Sequence, residues 1–421
     1  MTRPTSEKLN RARRSVARHL SQGWERAVFA APQGEDDSNA YEDQVVIGPG
    51  SGAFEASDFA ALWERVISAA ALGLVKLTFV LDDRRRVLVD ARHGFAKLKA
   101  CDDASIIKAM GGKDRLFRPD TDAPLLRAIG IMNADGTISA RHAKKYKQVH
   151  HLAQLCRPAW ENVAKRRPVC PAEPLRILDV ACGNSYLSFV LAADLRKARV
   201  PARVVGVDQR SDVVARSHAR AETMGDGSLQ FFQASISAAI DTVEHALDGP
   251  VDIMLALHAC DTATDDALAL AISRGVTSIL CVPCCQAELA KQLQHAPHAP
   301  HADVAALLEH NLLRRQYAAV LSDALRVEIL SACGYEVSTT EFVDVGHTPK
   351  NLLIRAQKRE IEPAVADTWH LEAVRAKCER LGLQPHLLTS LLQLAASPST
   401  STSPASTPTS TSTPAAHRPQ A

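Results

Sequence analysis

The run "LRILDVACGNSYLSFVLA" (residues 175–192) decides how this 421-residue chain is read. It opens as a strand, breaks at a tight turn around Gly183 and continues as a helix with a wide apolar face. Strand, turn, helix is the repeating unit of a parallel sheet. The unit recurs downstream. "ARVVGVD" (202–208), "LQFFQAS" (229–235), "VDIMLALHA" (251–259) and "TSILCVPC" (277–284) alternate with helical stretches. Strands that are apolar on both faces require helices on both sides of the sheet. A helix is predicted at about 139–156 ahead of this array, and a long one over 315–333 after it. "YEVSTTEFVDV" (335–345), a turn at "GHTPK" (346–350) and "NLLIRAQ" (351–357) then read as a terminal antiparallel pair.

Ligands in such sheets bind beyond the carboxyl ends of the strands, where the strand order reverses. A dinucleotide fingerprint wants three glycines, and here only Gly183 is present, so the turn is poor for a pyrophosphate. It suits a smaller nucleoside. The helix N-terminus near Ser185 can receive a carboxylate, and Asp208, ending the second strand, can accept both ribose hydroxyls. A carboxylate, a ribose and an adenine without phosphate describe S-adenosylmethionine.

These residues resemble the class I S-adenosylmethionine-dependent methyltransferases. "LDVACGNSYLSF" is similar to their first motif, often D-x-G-C-G, with Ala181 in place of the first glycine. The resemblance implies a Rossmann-like seven-stranded α/β sheet. It implies cofactor contacts from Asp179, Ala181, Cys182, Gly183, Ser185, Tyr186, Asp208 and His258. In "QASI", Ser235 stands where the family usually has an Asp for the adenine amine. The helix carrying "KKYKQVHHL" places Lys145 and Gln148 to cover the cofactor. "GNSYL", "LHACDTATD", "VPCCQ", "SDALR" and "HTPKNLLIRA" together resemble one branch of the family over about 115–360. Some members of that branch are associated with RNA, which implies RNA as the methyl acceptor. A small-molecule or protein acceptor, and a non-catalytic cofactor-binding assembly factor, are the alternatives.

The family topology places the ends of the fourth and fifth strands of this array beside the methyl group. His258, Cys260 and Asp261 come from one end, and Cys284, Cys285 and Gln286 from the other. Three readings stay open. His258 or Asp261 acts as general base. Cys284 is a covalent nucleophile, its thiol activated by His258. His258, Cys260, Cys284 and Cys285 bind zinc, although two well-formed chelating pairs are missing, so no metal is expected. The bland reading of Cys260 and Cys281 is small buried hydrophobes.

The rest of the chain bounds the answer. Net charge is +2 with 46% hydrophobic residues, so the bulk of the chain can bury a core. Residues 3–18 carry Arg3, Lys8, Arg11, Arg13, Arg14 and Arg18 against Glu7 alone, which suits an anionic partner. No apolar signal region follows Met1 and no run approaches a membrane span, so the expectation is a cytoplasmic protein without membrane contact. Five segments are expected. They are a basic helix and linker (1–45), an accessory α+β region (46–135), the methyltransferase domain (136–360), a helical extension (361–396) and a disordered Ser/Thr/Pro tail (397–421). His295, His298 and His301 read as a surface insert.

Overall fold

The computed structural model describes residues 4–20, 23–30, 45–47, 56–99, 106–108, 110–113, 115–133, 136–138, 140–257, 259–295, 303–341, 352–360 and 368–396. Two sheets organise them. The smaller is antiparallel. Its strands are β1 (Trp24–Ala30), β2 (Val45–Ile47), β3 (Lys76–Leu81), β4 (Arg86–Asp90) and β5 (Phe95–Lys99), in the order β2-β1-β3-β4-β5. β3 and β4, within "VKLTFVLDDRRRVLVDAR" (75–92), form a hairpin turning at Arg84. The helices Ser6–Leu20 and Ala56–Ala71 pack on this sheet through Ala12, Val16, Leu62, Trp63 and Val66.

The larger sheet has seven strands. They are β6 (Leu175–Val180), β7 (Ala202–Asp208), β8 (Leu229–Gln233), β9 (Ile253–Ala256), β10 (Ser278–Cys281), β11 (Tyr335–Glu341) and β12 (Leu352–Lys358), ordered β11-β12-β10-β9-β6-β7-β8. β6, β9 and β10 are buried at every position, because helices cover both faces. One core holds the helices Ala140–Arg166, Tyr186–Lys197 and Ser211–Met224. The opposite core holds Ile236–Leu247, Thr262–Ser273, Ala287–His295 and Asn311–Ala332, together with the C-terminal helices Thr368–Arg380 and His386–Ala396. β7 lies on one side of β6 and β9 on the other, both parallel to it, so the order reverses at β6. In open α/β sheets that reversal is where the ligand crevice lies.

Three features differ from the sequence reading. β1, β2 and β5 are strands that the sequence reading does not contain. Residues 106–132 contribute Ile106, Met110, Phe117, Leu126 and Ile131 to the core of the larger sheet rather than the smaller one. The helix predicted to end near 156 runs through Pro158 to Arg166. A proline inside a helix costs about 3 kcal/mol. Burial of Ala159 and Val163 beyond it favours continuation, and the carbonyls of Pro158 and Ala159 accept bonds from Gln357 and Ser278. The "GHTPK" turn, His298, His301 and the tail 397–421 lie outside the described residues.

Candidate active site

The cofactor side is built on the turn that follows β6. Ala181, Gly183 and Ser185 all have positive φ, at 51°, 54° and 55°. Only glycine takes this conformation freely, and a side chain there costs about 1–2 kcal/mol. The turn is therefore held from below. The Cys182 amide donates to the Val207 carbonyl at 3.0 Å, and the Ser185 amide to the Cys182 carbonyl at 2.8 Å. The Ser185 hydroxyl pairs with that of Ser217 at 2.9 Å. Gly206 explains how β7 passes so close. A Cβ there would lie 2.5 Å from the Phe231 ring and 3.1 Å from Cys182 Sγ.

Asp208 ends β7 half-buried. Its Oδ2 accepts the Gly183 amide at 2.9 Å and its Oδ1 the Arg210 amide at 2.9 Å. One carboxylate thus ties the two loops that flank the crevice. The Gly183 amide, which a pyrophosphate would need, is already spent on Asp208. The donor set fits a ribose held at Asp208 and no phosphate.

Other residues on this side support it from within. Asp179 is 2% exposed and accepts from the Ser188 hydroxyl inside the helix. Burial pushes its carboxyl up to about 7; Ser188 works the other way and the Asp208 charge adds to the rise. Cys182 and Ser185 are equally buried, so their side chains brace the turn. Lys145 donates to the Ile129 carbonyl at 2.9 Å, with its ammonium 3.5 Å from the centre of the Tyr186 ring. It fixes Tyr186, the first residue of the helix. Gln148 is half-buried one turn further along the same helix. Ser235 caps the Ile236–Leu247 helix, accepting from the Ala238 amide at 3.3 Å.

The side that the family resemblance gives to the acceptor follows β9 and β10. His258 lies outside the described residues, so its assigned roles as base and cofactor contact rest on sequence alone. Asp261 stands immediately before the Thr262–Ser273 helix. Its Oδ1 accepts the Ala287 and Glu288 amides at 2.8 and 3.0 Å and so caps the Ala287–His295 helix. Its backbone, at φ 54° and ψ −122°, is strained for a residue with a side chain. Arg326 secures it by donating to its carbonyl at 3.2 Å. The Cys284 thiol stands in the loop after β10. Burial pushes it up to about 12, and its contacts with Cys260 and Cys285 push the same way. The reading of Cys281 as a buried hydrophobe agrees with its full burial, whereas Cys260 is exposed.

A buried ionic group supports this side, and the sequence reading gave it no role. Arg326, 4% exposed, makes a two-bond contact with Asp265 at 2.7 and 3.1 Å and bonds Asp323 at 3.0 Å. Burial opposes its charge, but the Asp265 contact outweighs it and keeps the guanidinium protonated. Asp323 in turn accepts from Gln286 at 3.2 Å. The signal was present in "SDALR", quoted above for its resemblance only.

Residues 144–292 match the family model described as Methyltransferase domain. A Drosophila pseudoobscura pseudoobscura protein named as a glutathione S-transferase C-terminal domain-containing protein homolog is 29% identical over 153 residues. The match covers 36% of this chain and 24% of that protein, so the chain spans about a quarter of its relative's length. An SAH-bound methyltransferase of Podospora anserina is 14% identical, covering 63% of this chain and 100% of that one at a TM-score of 0.34. The turn after β6 and the loops after β9 and β10 thus lie within the residues that match the methyltransferase-domain model.

Proposed function

We propose that the chain is a methyltransferase that takes its methyl group from S-adenosylmethionine and delivers it to RNA. The observation that carries the cofactor is Asp208, a carboxylate fixed by the Gly183 and Arg210 amides at the point where the strand order reverses. Asp208 and the turn after β6 bind and orient the donor. S-adenosylmethionine supplies a sulfonium methyl open to in-line displacement, so positioning provides most of the acceleration.

RNA as the acceptor is supported by one surface. Lys8, Arg11, Arg13 and Arg14 are exposed on the Ser6–Leu20 helix. Beside that helix runs β5, with Phe95 64% exposed and Lys97 and Lys99 outward. Arg11 sits 5.3 Å from the centre of the Phe95 ring. Cations beside an open aromatic ring suit a phosphate backbone with stacked bases. Among the described residues no helix is long and apolar enough to cross a membrane.

The test is transfer of labelled methyl from S-adenosylmethionine to RNA from cells lacking the gene. The expected result is labelled RNA, with labelling reduced about tenfold by the triple change Arg11→Glu, Lys97→Glu, Lys99→Glu. Label in protein or metabolites but not RNA would transfer the reading to those acceptors. Absence of cofactor binding by calorimetry would remove every catalytic reading.

A further inference from the structure

Three thiols gather at the acceptor end of the crevice, and the methyl-transfer reading uses none of them. β9 and β10 are parallel neighbours in register, with Ala256 opposite Cys281. The loops after them therefore leave the sheet at the same level. Cys260 comes from the first loop, and Cys284 and Cys285 from the second. Cys260 Sγ lies 2.9 Å from Cys284 Sγ, and all three sulfurs lie within 4.8 Å of one another. The two loops are held firmly. Asp261 caps the helix that starts immediately after Gln286, and Arg326 secures the Asp261 carbonyl. The cluster is thus a fixed feature of two braced loops rather than a chance meeting of mobile side chains.

We propose that Cys260, Cys284 and Cys285 hold one zinc ion through three thiolates. Zinc–sulfur bonds of about 2.3 Å in a tetrahedron place ligand sulfurs about 3.8 Å apart. Three sulfurs within 4.8 Å of one another can take up that spacing by small side-chain movements. Loading opens the Cys260–Cys284 gap by about 0.9 Å, within the reach of side-chain rotation. A disulfide would require the two sulfurs to close to about 2.05 Å and would leave Cys285 without a role. Sulfur ligands select zinc over magnesium or calcium, which take oxygen. Binding displaces three thiol protons to solvent, so three thiolates and a divalent cation leave the site with one net negative charge. Cys260 and Cys285 are exposed and Cys284 half-buried, so an ion can enter from the crevice. The sequence lacked a second chelating pair. The parallel pairing of β9 and β10 supplies the third ligand that spacing could not reveal.

The test uses the full chain, purified under reductant and stripped with a chelator. Titration with zinc against a competing chromophoric chelator is expected to give one tight equivalent per chain. Cys260→Ser, Cys284→Ser and Cys285→Ser each lower the affinity by about 100-fold or more, whereas Cys170→Ser leaves it unchanged. Cobalt(II) added to the stripped wild-type chain is expected to produce thiolate charge-transfer absorption, a readout that needs no variant to fold. No zinc retained and no such absorption overturns the proposal. So does a Cys260–Cys284 disulfide that persists under reductant, or equal loss in Cys170→Ser. None of these readouts involves methyl transfer, so a failed RNA assay and a failed zinc titration are distinguishable.

Discussion

The two halves of one crevice are built by opposite means. On the cofactor side, the turn after β6 is held by bonds to its nearest strand and helix. Asp208 reaches Gly183 across one strand pairing, and Ser185 reaches Ser217 on the next helix. On the acceptor side, the loops after β9 and β10 are braced from far along the chain. Arg326 crosses 61 residues to Asp265, and Asp323 crosses 37 to Gln286. The first half is a local device that any chain with this motif can form. The second exists only once the Asn311–Ala332 helix has docked. The difference predicts that damage at Arg326 unsettles the fold, whereas damage at Asp208 empties the site.

Arg326→Met carries the largest expected effect. It leaves Asp265 buried without its partner, which costs about 3–5 kcal/mol. Denaturant unfolding should show this as a lower midpoint, and the further change Asp265→Leu should recover most of it. A midpoint within error of the wild type would break the comparison, because the acceptor side would then not depend on its distant brace.

Asp208→Ala is expected to weaken S-adenosylmethionine binding about 100-fold, the worth of two hydrogen bonds to a charged group. Stability should change far less. Calorimetric titration checks the first and thermal melting the second. Unchanged affinity would show that the ribose does not sit at Asp208.

Asp179 gives the subtlest readout. Its carboxyl ordinarily titrates near 3.8, and burial raises it to about 7 in the folded chain. Between those values the folded state keeps a proton that the unfolded state has lost. Its contribution to stability is therefore full below pH 3.8 and is lost as pH rises towards 7, by about 1.4 kcal/mol per pH unit. Asp179→Asn removes that slope. Melting curves of both proteins across pH 4–8 measure the difference, and parallel curves would place the Asp179 charge in water.

Much of this was legible in the residues themselves. Apolar strands alternating with amphipathic helices fixed the parallel sheet, because side-chain periodicity is a local property of the backbone. Gly183 marked a turn that needs positive φ, and Asp208 marked the end of the neighbouring strand. What Asp261 and Cys284 do was not legible. Each stands in a reactive-looking motif, yet Asp261 caps a helix beginning 26 residues later and Cys284 meets a thiol 24 residues earlier. The helix through Pro158 was hidden for the same reason, since local propensity ends it and burial continues it.

The sequence by itself determined the sheet, the glycine turn and the acid beside it, all set by neighbours within one strand–helix unit. Tertiary structure alone decided which polar groups face the crevice and which are spent holding it. That choice depends on partners whose approach no spacing encodes, because burial makes every unpaired polar group costly and so commits each one to whatever the fold brings within reach.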